Sequence, residues 1–154
     1  MNFARLADLA AAQFSQNGSI AYDQFEQIAL EPSFAAVWSK SVLKPQSLTP
    51  AEYRMLDSYL AIRTTIWERA YDIEQAGYTP KGETESSMRR YGGIYFGNSF
   101  AKAWWAEERL RCGTGDFCGL LDRVLVDVGS DENDKWIKNI QDALAAESSK
   151  ALEK

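Results

Sequence analysis

Between Thr49 and Gly77 apolar side chains return every third or fourth residue, and at about 100° per residue the stretch separates into two halves. Arg54, Asp57, Ser58, Ala61, Thr64, Thr65, Glu68, Arg69, Asp72 and Gln75 form a polar half. Tyr53, Met55, Leu56, Tyr59, Leu60, Ile62, Ile66, Trp67, Ala70, Tyr71 and Ile73 fill the rest. The spacing predicts one long helix with both ends marked. Thr49-Pro50-Ala51-Glu52 is a capping box, in which the Thr49 hydroxyl takes the Glu52 N–H, Glu52 reaches back, and Pro50 sits where no N–H is needed. Gly77 is the stop, and at ~1.5 Å per residue the helix spans ~40 Å. An apolar arc this wide exceeds what one neighbour covers, so the helix is expected at the centre of a bundle, packed against two or more others. Arg63 and Glu74 interrupt the arc. Arg63 is expected to lay its stem on the core and snorkel outward, with a buried polar anchor or ligand contact as the alternative. Glu74, one turn from the helix end, is expected in solvent.

The same patterning places the other elements. Phe3, Leu6, Ala10 and Phe14 give a first helix over Asn2 to Ser15, closed by Gln16-Asn17-Gly18, although Gly18 can also kink a continuous helix. Ser19 caps a second, with Tyr22, Phe25, Ile28 and Ala29 on one side, which Glu31-Pro32 interrupts because the residue before a proline leaves the helical region. Ser33 restarts the pattern through Phe34, Val37, Trp38 and Val42. After Gly77, Tyr78-Thr79-Pro80-Lys81-Gly82 is the most loop-like stretch. A helix over about Thr84 to Tyr95 follows, weakened by Gly92-Gly93. Asn98 or Ser99 caps the next, with Phe100, Ala103, Trp104 and Leu110 on its core face, up to Arg111 and the stop Cys112-Gly113. Thr114 starts another, striped by Phe117, Leu120, Leu121, Val124, Leu125 and Val128 and ended by Gly129. Ser130 opens the last, with Trp136, Ile137, Ile140, Ala143 and Leu144, and Glu147 to Lys154 is a polar tail. Only Ile94-Tyr95-Phe96 hints at a strand, too isolated to pair. The predicted class is all-α, a single-domain bundle over residues 1–146 around the helix of about 49–76.

Composition changes this picture little. The 154 residues suffice for one core without staples, and 5 Trp, 7 Tyr and 7 Phe are more aromatics than disordered chains carry. A net charge of −5 argues against a nucleic-acid surface, and the basic cluster Lys81, Arg89 and Arg90 is small. No apolar run reaches the ~20 residues that span a bilayer and no export signal opens the chain, so a soluble cytoplasmic protein is expected. With 2 Cys and no such signal, Cys112 and Cys118 are expected reduced, a disulfide across Gly113–Phe117 being the alternative.

The chemistry is sparse. With His at 0 the commonest general base and metal ligand is missing, and with it zinc sites and the Glu-x-x-His pairs of di-metal bundles. Glu107-Glu108 beside Trp104-Trp105 is the most suggestive constellation, since a carboxylate in an aromatic pocket can become a proton donor. Adjacent glutamates point ~100° apart, however, and a solvated face is the stronger reading. Gly92-Gly93-Ile94-Tyr95-Phe96-Gly97 lacks the Lys-Ser/Thr of a phosphate loop and reads as a kinked linker. No catalytic, cofactor-binding or metal-binding residue is therefore expected.

Leu30-Glu31-Pro32, Leu48-Thr49-Pro50-Ala51-Glu52, Trp67-Glu68-Arg69-Ala70-Tyr71 with Gly77, and Trp104-Trp105 followed by Phe117 and Leu121-Asp122 resemble a diffuse group of uncharacterised bacterial helical proteins. The resemblance covers about Ser19 to Val126. In that group a comparable domain often follows an N-terminal membrane helix, which implies here either a member without that anchor or a chain beginning just past it. It carries over no catalytic residue. The function expected is a non-enzymatic protein-interaction or regulatory module that meets a protein partner or a second copy. The alternative is a small-molecule sensor or carrier with a pocket between helices and Arg63 as anchor for an anionic group. Trp105, ~100° round from Trp104, needs cover from either a neighbouring helix or a partner, which makes it the candidate interface residue.

Overall fold

A computed structural model describes residues 24–128, 135 and 138–143. Every regular element among them is helical. Helical residues 24–30 (α1) lead through Glu31 into α2 (Pro32–Leu43), and a 3₁₀ turn (Pro45–Ser47) precedes α3 (Pro50–Gln75). Then come α4 (Glu83–Phe96), α5 (Ser99–Cys112) and α6 (Asp116–Asp127). Residues 138–143 are also helical; the helix expected over Asn2–Ser15, the start of the one from Ser19, and the polar tail lie outside the described residues.

The ends of α3 follow their sequence signals. Glu52 N donates to Thr49 Oγ1 at 3.3 Å and Thr49 N to Glu52 Oε2 at 2.7 Å, so both halves of the capping box form. Lys40 of α2 adds a 2.7 Å ion pair to the same Glu52 oxygen, tying α2 to the helix start. That ammonium, with the Thr49 N–H, lowers the Glu52 pKa to about 2. At the other end Gly77, at φ 81°, donates to Glu74 O while Tyr78 N reaches Ile73 O, the two bonds of a Schellman stop. Replacing Thr49 with Ala should lower stability by ~1 kcal/mol, because the Glu52 N–H loses its acceptor; an unchanged urea midpoint would mean that this cap does not hold the helix start.

Glu74 is not in solvent. It is 9% exposed, and its two carboxylate oxygens accept from Gly82 N at 2.7 Å and Thr84 N at 2.8 Å. Gly82, the N-cap of α4, has no side chain with which to cap, so the last turn of α3 does it instead. Sequence spacing could not reveal this, since the partners lie across the Tyr78–Lys81 turn. Burial pushes the Glu74 pKa up, but the backbone N–H groups of Gly82 and Thr84, with the Lys81 charge, outweigh it and hold the carboxyl below its ordinary value. Because the folded pKa is depressed, this clamp is complete above the unfolded value of about 4.3 and fades as pH falls through the folded one. Glu74→Ala should cost ~1–2 kcal/mol at neutral pH and progressively less in acid. A deficit independent of pH would contradict the clamp.

The core runs along one side of α3. Leu56, Leu60 and Trp67 pack with Met88 and Phe96 of α4 and Leu121 and Val124 of α6, each at or below 1% exposure. α4 is continuous through Gly92-Gly93, which corrects the kinked-linker reading. A Cβ at Gly92 would lie 3.2 Å from Val128 Cγ2 and 3.8 Å from Val124 Cγ1, so the glycine lets α4 lie close against the end of α6. Cys112 and Cys118 are disulfide-bonded, with Cα atoms 6.2 Å apart, against the expectation of reduced thiols. The bond staples the end of α5 to the first turn of α6, across a loop in which Gly113 takes φ 74°.

Candidate functional site

Arg63, placed by the 3.6-residue repeat one turn before Trp67, faces inward at 2% exposure instead of snorkelling. Its guanidinium carbon lies 4.4 Å from the Trp67 ring centroid, 4.6 Å from that of Tyr95 and 5.7 Å from that of Phe25. Guanidinium is planar and weakly hydrated, and aromatic faces are electron-rich, so stacked rings make burial of this cation tolerable. The Tyr95 hydroxyl donates to Glu26 Oε1 at 2.6 Å. Burial, then this bond, raises the Tyr95 pKa well above that of an ordinary phenol, although the Arg63 charge opposes the shift, and the ring stays neutral. Beside the enclosure, Glu26, Trp38, Tyr59 and Tyr95 border a shallow groove of ≈ 260 Å³.

Trp105 is covered by its own chain. It is 6% exposed, and its indole N–H donates to Asp122 Oδ1 of α6 at 2.9 Å. Arg109 takes the other Asp122 oxygen at 2.5 Å and also donates to Gly113 O. The outcome corrects half of the expected face of α5: Phe100 is buried and Trp104 partly buried as assigned, but Trp105 points inward, and Ala103 and Leu110, assigned to the core side, are exposed. The α5–α6 hairpin sets this rotation. Once the disulfide and Asp122 fix α6 against the Trp105 side, the opposite side is left to solvent.

On that opposite side lies an apolar groove of ≈ 490 Å³, lined by Pro45, Gln46, Tyr53, Ser99, Phe100, Ala103, Trp104 and Glu107. Three elements build it: the 3₁₀ turn, the first turn of α3 and α5 from Ser99 to Glu107, started by Asn98 Oδ1 accepting from Ala101 N at 2.8 Å. Tyr53 and Phe100 stand 5.5 Å apart, ring to ring. Trp104 Nε1 donates to Asp57 Oδ1 at 2.9 Å, which fixes the indole as one wall. Trp104 and Glu107 do share this groove, but Glu107 is exposed, and Glu108 points away to accept from Arg111 at 3.3 Å. Such a site offers aromatic contact area with one carboxylate at the rim, an arrangement suited to holding an apolar side chain. Sequence reading missed it, because Pro45 and Tyr53 come together with α5 only in three dimensions.

Among the described residues no group of three or more Cys, Asp or Glu is placed to hold a metal ion, and no helix is long and apolar enough to cross a membrane. Compared with family models, curated proteins and solved structures, the chain matches none.

Proposed function

We propose that this chain is a non-enzymatic helical protein-interaction module, and that the groove between the 3₁₀ turn and α5 is its contact surface. The observation that carries the reading is an apolar groove, walled by Tyr53, Phe100 and Trp104, that opens on an exposed α5 face beside Leu110 at 79% exposure. Aromatic side chains around a hollow are typical of the residues that dominate binding energy at protein interfaces. The non-enzymatic part rests on chemistry. The chain has no imidazole, and the one carboxylate that lines the aromatic groove, Glu107, is exposed at its rim. A protein rather than a nucleic acid is the partner that fits the acidic net charge of −5.

A ligand anchored by Arg63 has less support, since Trp67 and Tyr95 already stand 4.4 and 4.6 Å from its guanidinium carbon. Filling the groove tests the reading. Ala103 is exposed, so Ala103→Arg adds bulk and charge to the groove without entering the core. Loss of association, with itself or with a captured partner, at unchanged circular dichroism is the expected result. Association that survives the substitution would place the contact surface elsewhere.

A further inference from the structure

The Cys112–Cys118 bond joins two helix ends that lack caps of their own. At the end of α5, Gly113 takes φ 74° and ψ −151°, outside the αL region of a glycine stop, and among the described residues no backbone hydrogen bond from Gly113 or Thr114 closes the helix. α6 starts at Gly115, which has no side chain to receive its first N–H groups. The bridge thus stands where the starts of α3 and α5 have hydrogen-bonded caps. Beyond Arg109, which reaches Asp122, it is the tie between the end of α5 and α6.

Access to the bond is one-sided. Gly113, Thr114, Gly115 and Asp116 are all exposed and Cys112 is partly so, whereas Cys118 is 3% exposed and belongs to the core with Phe117 and Leu121. A disulfide on an exposed loop exchanges with thiols, and attack falls on the sulfur of the accessible side. The two helices also have holds that do not depend on sulfur. Asp122 accepts from Trp105 Nε1 at 2.9 Å and from Arg109, and Arg109 donates to Gly113 O. Opening the bond therefore leaves the two thiols near each other, and Cys118 Sγ, 3.3 Å from Cys112 O, has an acceptor for its proton in place. We propose that Cys112–Cys118 is a reversible redox switch, opened by a small thiol of the glutathione class at Cys112, which releases Leu110–Gly115 while the rest of the chain stays folded. The attacking thiolate bonds to Cys112 Sγ, and the Cys112–Cys118 bond breaks with its electron pair leaving on Cys118, which takes a proton from water. A second thiolate attacks the sulfur of the first, and Cys112 leaves and is protonated in turn. Two small thiols are thereby oxidised to one disulfide as the protein disulfide is reduced to two thiols. Oxidised glutathione runs the same steps backwards.

Intact mass and amide hydrogen exchange on the full chain, in buffers of stepped reduced-to-oxidised glutathione ratio and without denaturant, test the switch. The chain should pass reversibly between disulfide and dithiol at a rate proportional to the thiol concentration, and reduction should speed exchange over residues 110–115 alone. In Cys118→Ser, oxidised glutathione should add to Cys112 several-fold faster than it adds to Cys118 in Cys112→Ser. Should either variant fail to fold, the unmodified chain supplies the deciding reading: its rate of opening should stay constant across urea concentrations well below the unfolding midpoint. A bond that opens only as urea unfolds the chain overturns the proposal. So does equal labelling of the two cysteines in folded variants, or faster exchange on reduction that spreads through α3 and α4.

Discussion

Trp67→Ala is expected to destabilise the chain by ~3–5 kcal/mol, a large part of the ~5–15 kcal/mol that holds a domain together. Trp67 is 1% exposed and stacks on Phe96 with ring centroids 5.7 Å apart, while Tyr95 meets it edge-on at 6.3 Å. It also carries one face of the Arg63 enclosure. Truncation therefore opens a cavity and removes a ring that stands 4.4 Å from a buried cation. The indole N–H of Trp67 is buried without a hydrogen-bond partner among the described residues. Trp67→Phe should consequently cost much less than Trp67→Ala, since no bond is lost with the nitrogen and an aromatic face remains for Arg63. Urea denaturation of the two variants checks this. Equal losses would mean that the cavity and the cation matter less than the indole itself.

Breaking the Cys112–Cys118 bond is the second large effect. The bridge closes a short loop, with a sequence separation of 6, and a loop of that size lowers the entropy of the unfolded chain by an amount worth ~2 kcal/mol. Reduction should lower the urea midpoint accordingly, whereas a Cys112→Ser/Cys118→Ser double variant should start at the lower midpoint and ignore reductant. The folded ends stay close without the bond, since Arg109 still links Asp122 and Gly113 O. Reduction should therefore loosen the α5–α6 hairpin rather than unfold the chain. A midpoint indifferent to reductant in the unmodified protein would contradict the bridge.

These two sites also mark where sequence reading succeeds and fails. The ends of α3 were legible because their signals are local: a capping box within four residues and a glycine that takes φ 81°. Trp67 was assigned to the core correctly by the same periodicity. The α5 cap at Asn98 and the stripe of α6 were legible for the same reason. Arg63 and Glu74 were misread because type alone argues for solvent, whereas their partners, the Tyr95 and Phe25 rings and the Gly82 and Thr84 N–H groups, are distant in sequence or lie beyond a turn. Gly92 looked like a break because helix propensity counts its missing side chain as a loss. In the fold that absence admits Val128 at 3.2 Å. The rotation of α5 was illegible for a further reason. Trp104 and Trp105 are equally apolar, and the carboxylates that sort them are distant in sequence: Asp122 of α6 accepts from Trp105 Nε1 and Asp57 of α3 from Trp104 Nε1.

The five tryptophans give the groove a reporter of its own. Trp104 forms a groove wall, with its indole N–H held by Asp57 at 2.9 Å, while Trp67 and Trp105 are sealed in the core at 1% and 6% exposure. A dilution series followed through the indole N–H resonances is the most direct test of the contact surface. The Trp104 resonance should shift with concentration while those of Trp67 and Trp105 stay fixed. A Trp104 resonance that stays fixed both on dilution and on addition of a captured partner, or a shift confined to Trp67 and Trp105, would contradict the assignment of this groove.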